Sequence, residues 1–268
     1  MKSLDEFSIK DRQRIRCVLT DIDDTLTTEG RLTAKAYAAL EALQKNGLLV
    51  VAVTGRPAGW CDHIARMWPV DAVVGENGAF YFRYDEKQRK LLKRFLLSAE
   101  DRAANRLRLD ALRTDILGQV PGTDVASDQS YREADLAIDF CEDVDPLPWS
   151  EVERIVDLFT AAGATAKVSS IHVNGWFGTY DKLTMTRTLM DECFGLDLDS
   201  DKASFVFVGD SPNDAPMFAF FPHAVGVANL VQFEDRLEAH PTYVTDESSG
   251  AGFAALAKAL IEVREKAT

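Results

Sequence analysis

A chain of 268 residues with 46% apolar and 27% charged side chains is long enough for one large α/β unit, or for a core with a smaller second module, and is unlike a disordered or fibrous chain. The formal net charge of −13 argues against nucleic acid or an anionic membrane as partner, because phosphate-rich surfaces need a basic face. A small anionic substrate stays compatible only if a metal ion or a few placed cations reverse the field locally.

In chain order, Ile15 to Thr20 is a short apolar run that ends in an acidic cluster. A helix is predicted from Ala34, with Thr33 as N-cap and Asn46-Gly47 as stop. Leu48 to Val53 suits a strand buried on both faces, Pro57 opens a helix ending before Pro69, and Ala72 to Val74 is a third strand. Between Tyr84 and Thr179 the texture changes: charged Glu86 to Lys93, a long helix through Leu107, Leu112 and Ile116, strands near Asp124 to Gln129 and Ala134 to Phe140, a helix over Ser150 to Ala162, then paired strands within Ala164 to Phe177. Phe205 to Val208 resumes the first texture, followed by helices over Pro216 to Phe220 and Ala251 to Val263. The pattern predicts a Rossmann-like, doubly wound parallel sheet with an inserted α/β cap of two helix-strand-strand units: core 1–85, cap 86–179, core 180–268.

Cys17, Cys61, Cys141 and Cys193 are too widely spaced for a paired framework or a zinc pattern, and Met1 to Arg16 lacks the apolar run of a signal peptide or membrane span. Free thiols in the cytoplasm are therefore expected.

Ligands of such sheets bind beyond the carboxyl ends of the strands. The residues there are polar: Asp21-Ile22-Asp23-Asp24-Thr25, then Thr54-Gly55-Arg56, then Gly209-Asp210-Ser211-Pro212-Asn213-Asp214. Carboxylates gathered within about 4 Å repel by roughly 4 kcal/mol per pair at an effective dielectric near 20, so this rim calls for a divalent cation. All-oxygen ligands favour Mg2+, and Mg2+ with acidic residues implies phosphoryl transfer.

These stretches resemble the motifs of the haloacid dehalogenase superfamily. Asp21, Asp23 and Thr25 match Asp-x-Asp-x-Thr, Thr54 matches the Ser/Thr ending a strand, and Gly209, Asp210 and Asp214 match Gly-Asp-x-x-x-Asp. Lys182 fits the lone basic motif, although Leu183 stands where relatives with this lid commonly have Gly, and Lys202 is the fallback. The resemblance implies Asp21 as nucleophile, Asp23 as acid and base, and Thr54, Gly55 and Lys182 around the phosphoryl group. It implies Mg2+ held by Asp21, the Asp23 carbonyl and Asp210, with Asp214 supporting its water shell. Asn213 either reaches that shell or caps a helix. The insertion falls where type-two caps lie, and its order resembles the subgroup (IIB) acting on sugar phosphates, including sucrose-phosphate, trehalose-phosphate and mannosyl-phosphoglycerate phosphatases. Gly75-Glu76-Asn77-Gly78, Gly226 to Asn229 and Tyr243 to Thr245 also match stretches of that subgroup.

The expected function is a Mg2+-dependent phosphatase acting on a small phosphorylated metabolite, a sugar or glycosyl phosphate, through an aspartyl-phosphate. A phosphomutase using the same aspartates is the alternative, and would need lid cations such as Arg102, Arg106 or Arg132 for a distal phosphate. A receiver domain is disfavoured by length, and a nucleotide-binding module by the lack of a phosphate-binding Gly-rich loop. Arg56, Arg132, Asn174 and Trp176 are candidate substrate contacts. Asp24 reads as a helix-side or surface carboxylate with no catalytic part, and the scattered His63, His172, His223 and His240 read as structural.

Overall fold

The computed structural model describes residues 1–265. Continuous apolar runs without polar alternation must be buried on both faces, and the chain arranges them so. Cys17–Thr20, Leu49–Val53, Ala72–Gly75 and Phe205–Gly209 form the centre of a nine-stranded sheet. Its order runs Lys2–Ser3, Tyr243–Val244, Ala224–Gly226, Phe205–Gly209, Cys17–Thr20, Leu49–Val53, Ala72–Gly75, Phe80–Asp85, Lys90–Phe95. The first seven strands pair in parallel and the last two turn back antiparallel.

Successive side chains of a strand point to opposite faces, and the two hydrophobic layers divide accordingly. Val18, Val50, Ala52, Val206 and Val208 pack on one face. Cys17, Leu19, Val51, Val53, Phe205 and Phe207 pack on the other. Burying each such side chain is worth about 1.5–3 kcal/mol relative to leaving it in water, so a charge at Leu19 would break this layer.

The helix Ala34–Lys45 starts where Thr33 accepts a hydrogen bond from the Ala36 amide and stops at Asn46, with Gly47 at φ 74°. It covers the first layer together with Ser249–Glu265. The expected boundary at 85/86 falls inside a hairpin: Lys90–Phe95 pairs with Phe80–Asp85, so the main sheet continues to Phe95.

A separate four-stranded antiparallel sheet has the order Thr165–Val168, His172–Trp176, Leu136–Asp139, Asp124–Val125. The helices Ala99–Gln119 and Trp149–Ala161 cover one face through Leu112, Ile116, Ile155 and Phe159, which meet Ile138 and Val173. Gly175 belongs to that face, where a Cβ would lie 2.2 Å from the Phe159 ring, so only glycine fits. Alternation then turns His172 and Asn174 to the opposite face, toward the parallel strand ends. The four cysteines are free, and no described helix is long and apolar enough to cross a membrane.

Candidate active site at the carboxyl ends of the parallel strands

Asp21 leaves its strand with its amide donating to the Val208 carbonyl at 2.9 Å, which fixes the first acidic loop against the strand Phe205–Gly209. The amides of Thr25, Leu26 and Thr27 then converge on the Ile22 carbonyl, closing a tight turn in which Asp24 takes φ 53°. Asp24 is half-buried rather than a surface carboxylate, and its carbonyl accepts from Asn229 Nδ2 at 3.0 Å.

The second acidic loop is anchored by Asp214, whose Oδ2 accepts from the amides of Asp210 at 3.1 Å and Ser211 at 3.3 Å. Gly209 makes this possible, because a Cβ there would lie 2.3 Å from that same oxygen. Lys182 opens the helix Lys182–Leu189, which Asp181 caps by accepting from the Thr184 amide at 2.7 Å. Gly78, at φ 106°, packs so closely on the Asp181 carbonyl that a side chain would clash.

These loops bring oxygen atoms of Asp21, Asp210 and Asp214 within 4.8 Å of one another, all three residues being buried. Lys182 Nζ lies 2.6 Å from both Asp21 Oδ1 and Asp214 Oδ1. Asp210 accepts from Thr25 Oγ1 at 3.0 Å and Asn229 Nδ2 at 3.4 Å. One lysine cannot balance three carboxylates. Burial pushes the Asp21 carboxyl up to about 8 against the pull of Lys182, with Asp214 and Asp23 adding to the rise. Burial and then Asp21 and Asp214 push Asp210 well above the carboxylate range. An all-oxygen, crowded and buried donor set of this kind fits a hard divalent cation.

Around it lies a seam between the two sheets. Thr54 is fully buried, and its Oγ1 accepts from the Arg56 amide at 3.0 Å. Arg56 Nε donates to both Asp23 oxygens at 2.9 and 3.0 Å, and its Nη atoms reach Asp128 at 3.3 Å and Glu142 at 2.7 Å. The Trp60 ring covers the guanidinium, 4.4 Å from Cζ. Arg132 donates to the Gly55 carbonyl at 2.9 Å, to Asp135 at 3.1 Å and to Asp128 at 3.1 Å. Asn174 donates to Asp135 at 2.9 Å.

Glu76, at φ 43° and fully buried, accepts from the amides of Ala58, Glu133, Ala134 and Asp135, so the turn after one core strand grips the antiparallel module. Burial would raise Glu142, but His172 and then Arg56 outweigh it and hold its carboxyl down to about 2. Between loops and seam remains a small closed cavity of about 10 Å³, room for about one water, lined by Asp21, Asp23, Gly55, Arg56, Arg132, Ser169 to His172, Asn174, Ser211 and Asn213.

The structure thus gathers Asp21, Asp23, Thr54, Gly55, Lys182, Asp210, Asn213 and Asp214 at one rim, with Arg56, Arg132 and Asn174 facing them. Asn213 donates to Asn77 Oδ1 at 3.2 Å and accepts from Ser211 Oγ at 2.9 Å, inside the rim. Trp176 does not join: it is 1% exposed and stacked on Tyr180 away from the cavity. Lys202 lies over the Phe220 ring, outside the cluster. Arg106 is spent on the Arg132 and Asp135 carbonyls, and Arg102 on the Leu97 carbonyl and the Phe95 ring. Sequence reasoning missed Glu142, Asp128 and His172, whose Nε2 lies 2.9 Å from Glu142 Oε2. The alternation of His172 with Val173 in an apolar strand was the available signal.

Residues 18–104 match the family model of the haloacid dehalogenase-like hydrolases. The chain is 29% identical over 242 residues to a phosphoglycolate phosphatase of Haloarcula marismortui, covering 88% of this chain and 93% of that protein. Its fold is that of the C-terminal domain of C. albicans trehalose-6-phosphate phosphatase, with TM-score 0.70 at 14% identity over 95% of each chain. It is also that of the Synechocystis sucrose-phosphatase solved with sucrose and phosphate, with TM-score 0.64 at 16% identity over 93% of this chain and 98% of that one.

Proposed function

We propose that the chain is a haloacid dehalogenase-like phosphatase, a phosphoric monoester hydrolase, and that it hydrolyses a small sugar or glycosyl phosphate through a phosphoryl-aspartate on Asp21. The observation that carries this reading is the buried convergence of the Asp21, Asp210 and Asp214 carboxylates, with Lys182 bridging Asp21 and Asp214.

In the first displacement an Asp21 carboxylate oxygen bonds to phosphorus as the ester P–O bond breaks, and the leaving oxygen takes a proton from Asp23. In the second, water attacks the same phosphorus, its proton passes to Asp23, and phosphate leaves with the Asp21 carboxylate restored. Lys182 and Thr54 would steady the phosphoryl oxygens, a largely electrostatic task. Arg56, held to both Asp23 oxygens, must loosen its grip for Asp23 to carry a proton, so the arrangement described is a closed resting state.

Asp21, Asp210 and the Asp23 carbonyl would hold Mg2+, with Asp214 and Asn213 alongside. The ion would supply positive charge to the phosphoryl oxygens and to the crowded carboxylates. With the strand Lys90–Phe95 left in the core sheet, the rest of the expected module, from the helix Ala99–Gln119 to Thr179, would act as the lid, opening to admit substrate. A phosphomutase is not favoured, because both arginines at the cavity are already paired with carboxylates. Free thiols and acidic charge support a cytoplasmic setting.

The test is phosphate release from a panel of phosphorylated sugars with and without a chelator. The expected result is Mg2+-dependent turnover that Asp21→Asn abolishes; equal rates in that variant would reject the nucleophile.

A further inference from the structure

The Glu142 carboxylate lies between Arg56 and His172, two side chains that line the cavity from opposite sides. Its Oε1 lies 2.7 Å from Arg56 Nη2 on the core side, and its Oε2 lies 2.9 Å from His172 Nε2 on the module side. The rest of the Arg56 guanidinium is spent on Asp23 and Asp128, and its face on Trp60. The other cavity arginine, Arg132, is 0% exposed in its side chain and shared between Asp128 and Asp135. Both arginines that line the cavity are thus ion-paired, two guanidinium groups among the four carboxylates of Asp23, Asp128, Asp135 and Glu142, while Lys182 serves Asp21 and Asp214.

What the cavity does offer a leaving group is carboxylate oxygens together with the Ser169 and Ser170 hydroxyls and the Asn174 amide. Such a set accepts and donates hydrogen bonds to alcohols. A carboxylate or second phosphate on the leaving group would instead meet arginines already outnumbered by carboxylates, and like charges a few ångströms apart cost enough to decide specificity. Glu142 is 26% exposed in its side chain, so a ligand can reach it once the seam parts.

Resting on the phosphatase reading, we propose that Glu142 is the specificity-determining residue of this site: by occupying Arg56 and His172 it makes the pocket one for uncharged, hydroxyl-bearing leaving groups and rejects anionic ones. The same scaffold with a neutral residue at this position would release Arg56 Nη2 and His172 to meet an acid.

The experiment measures kcat/KM by phosphate release, with the full chain and Mg2+, for two matched pairs: glucose 1-phosphate against glucuronic acid 1-phosphate, and glycerol 3-phosphate against 3-phosphoglycerate. The wild type is expected to favour the uncharged member of each pair by about 10-fold or more. Glu142→Gln is expected to shrink that ratio by about 10-fold through a gain on the acid, and Glu142→Asp to keep it. A ratio is insensitive to loss of folded enzyme, and if Glu142→Gln does not fold, the wild-type and Glu142→Asp ratios still decide. Wild-type preference for the acids, or an unchanged ratio in Glu142→Gln, would overturn the proposal while leaving the phosphatase reading intact. No phosphate release from any ester would overturn both.

Discussion

The loops at the parallel strand ends and the seam facing them hold similar residues under opposite electrostatic conditions. At the strand ends one lysine bridges two of three buried aspartates, and the carboxyls of Asp21 and Asp210 are pushed upward. At the seam Arg56 and Arg132 interleave with Asp23, Asp128, Asp135 and Glu142, and Glu142 is held down near 2. The first cluster stores unfavourable charge that a dication would relieve. The second is cross-paired, each arginine meeting two or more carboxylates, and clamps the two modules together. Function is thus placed where a buried carboxylate, Asp210, has no cation beside it, and closure where arginines cross-link carboxylates of the two modules.

Substitutions should separate the two regions by sign as well as size. Asp21→Asn should lower turnover by on the order of 10⁴-fold with the fold intact, read by phosphate release beside circular dichroism. Arg132→Met leaves Asp135 buried without a cation in the seam and should cost about 3–5 kcal/mol in urea denaturation. Mg2+ at about 100 times its Kd should stabilise the chelated wild type by about 2.7 kcal/mol but do little for Asp210→Asn. In metal-free protein near neutral pH, Asp210→Asn should itself raise stability by about 1 kcal/mol, since it removes a crowded carboxylate. A destabilised Asp210→Asn would show that the strand-end cluster is as well matched as the seam.

The strand-end cluster was legible in the sequence because each of its members follows an apolar run by a fixed number of residues, so topology alone carries them to one edge. The strands themselves were legible for the same reason: Leu48 to Val53 can only be buried on both faces. Lys182 was legible through its place after the insertion, although Leu183, now 8% exposed in the core, broke the expected pattern. The seam was not legible. Glu142 and Asp128 sit in irregular segments with no periodicity, and what selects them is a long-range match to Arg56. Trp176 misled for a related reason: its neighbours Asn174 and His172 share its strand face, but the stacking of Tyr180 withdraws the last aromatic into the core. Glu76 lay in a recognisable turn, yet nothing local says that its carboxylate collects four amides from elsewhere in the chain.

The smallest expected effect is also the most local probe of the seam. Glu142 is an acid whose carboxyl is held at about 2 in the fold, below its ordinary 4.5, so its contribution to stability is complete above 4.5 and is lost as pH falls toward 2. Glu142→Gln carries no such dependence, while every other titrating group is common to both proteins. The difference in Tm between wild type and Glu142→Gln should therefore narrow steadily as pH falls below 4.5. A difference that stays flat down to pH 2 would mean that Arg56 and His172 do not hold Glu142 in solution, and that the seam stands open when no substrate is bound.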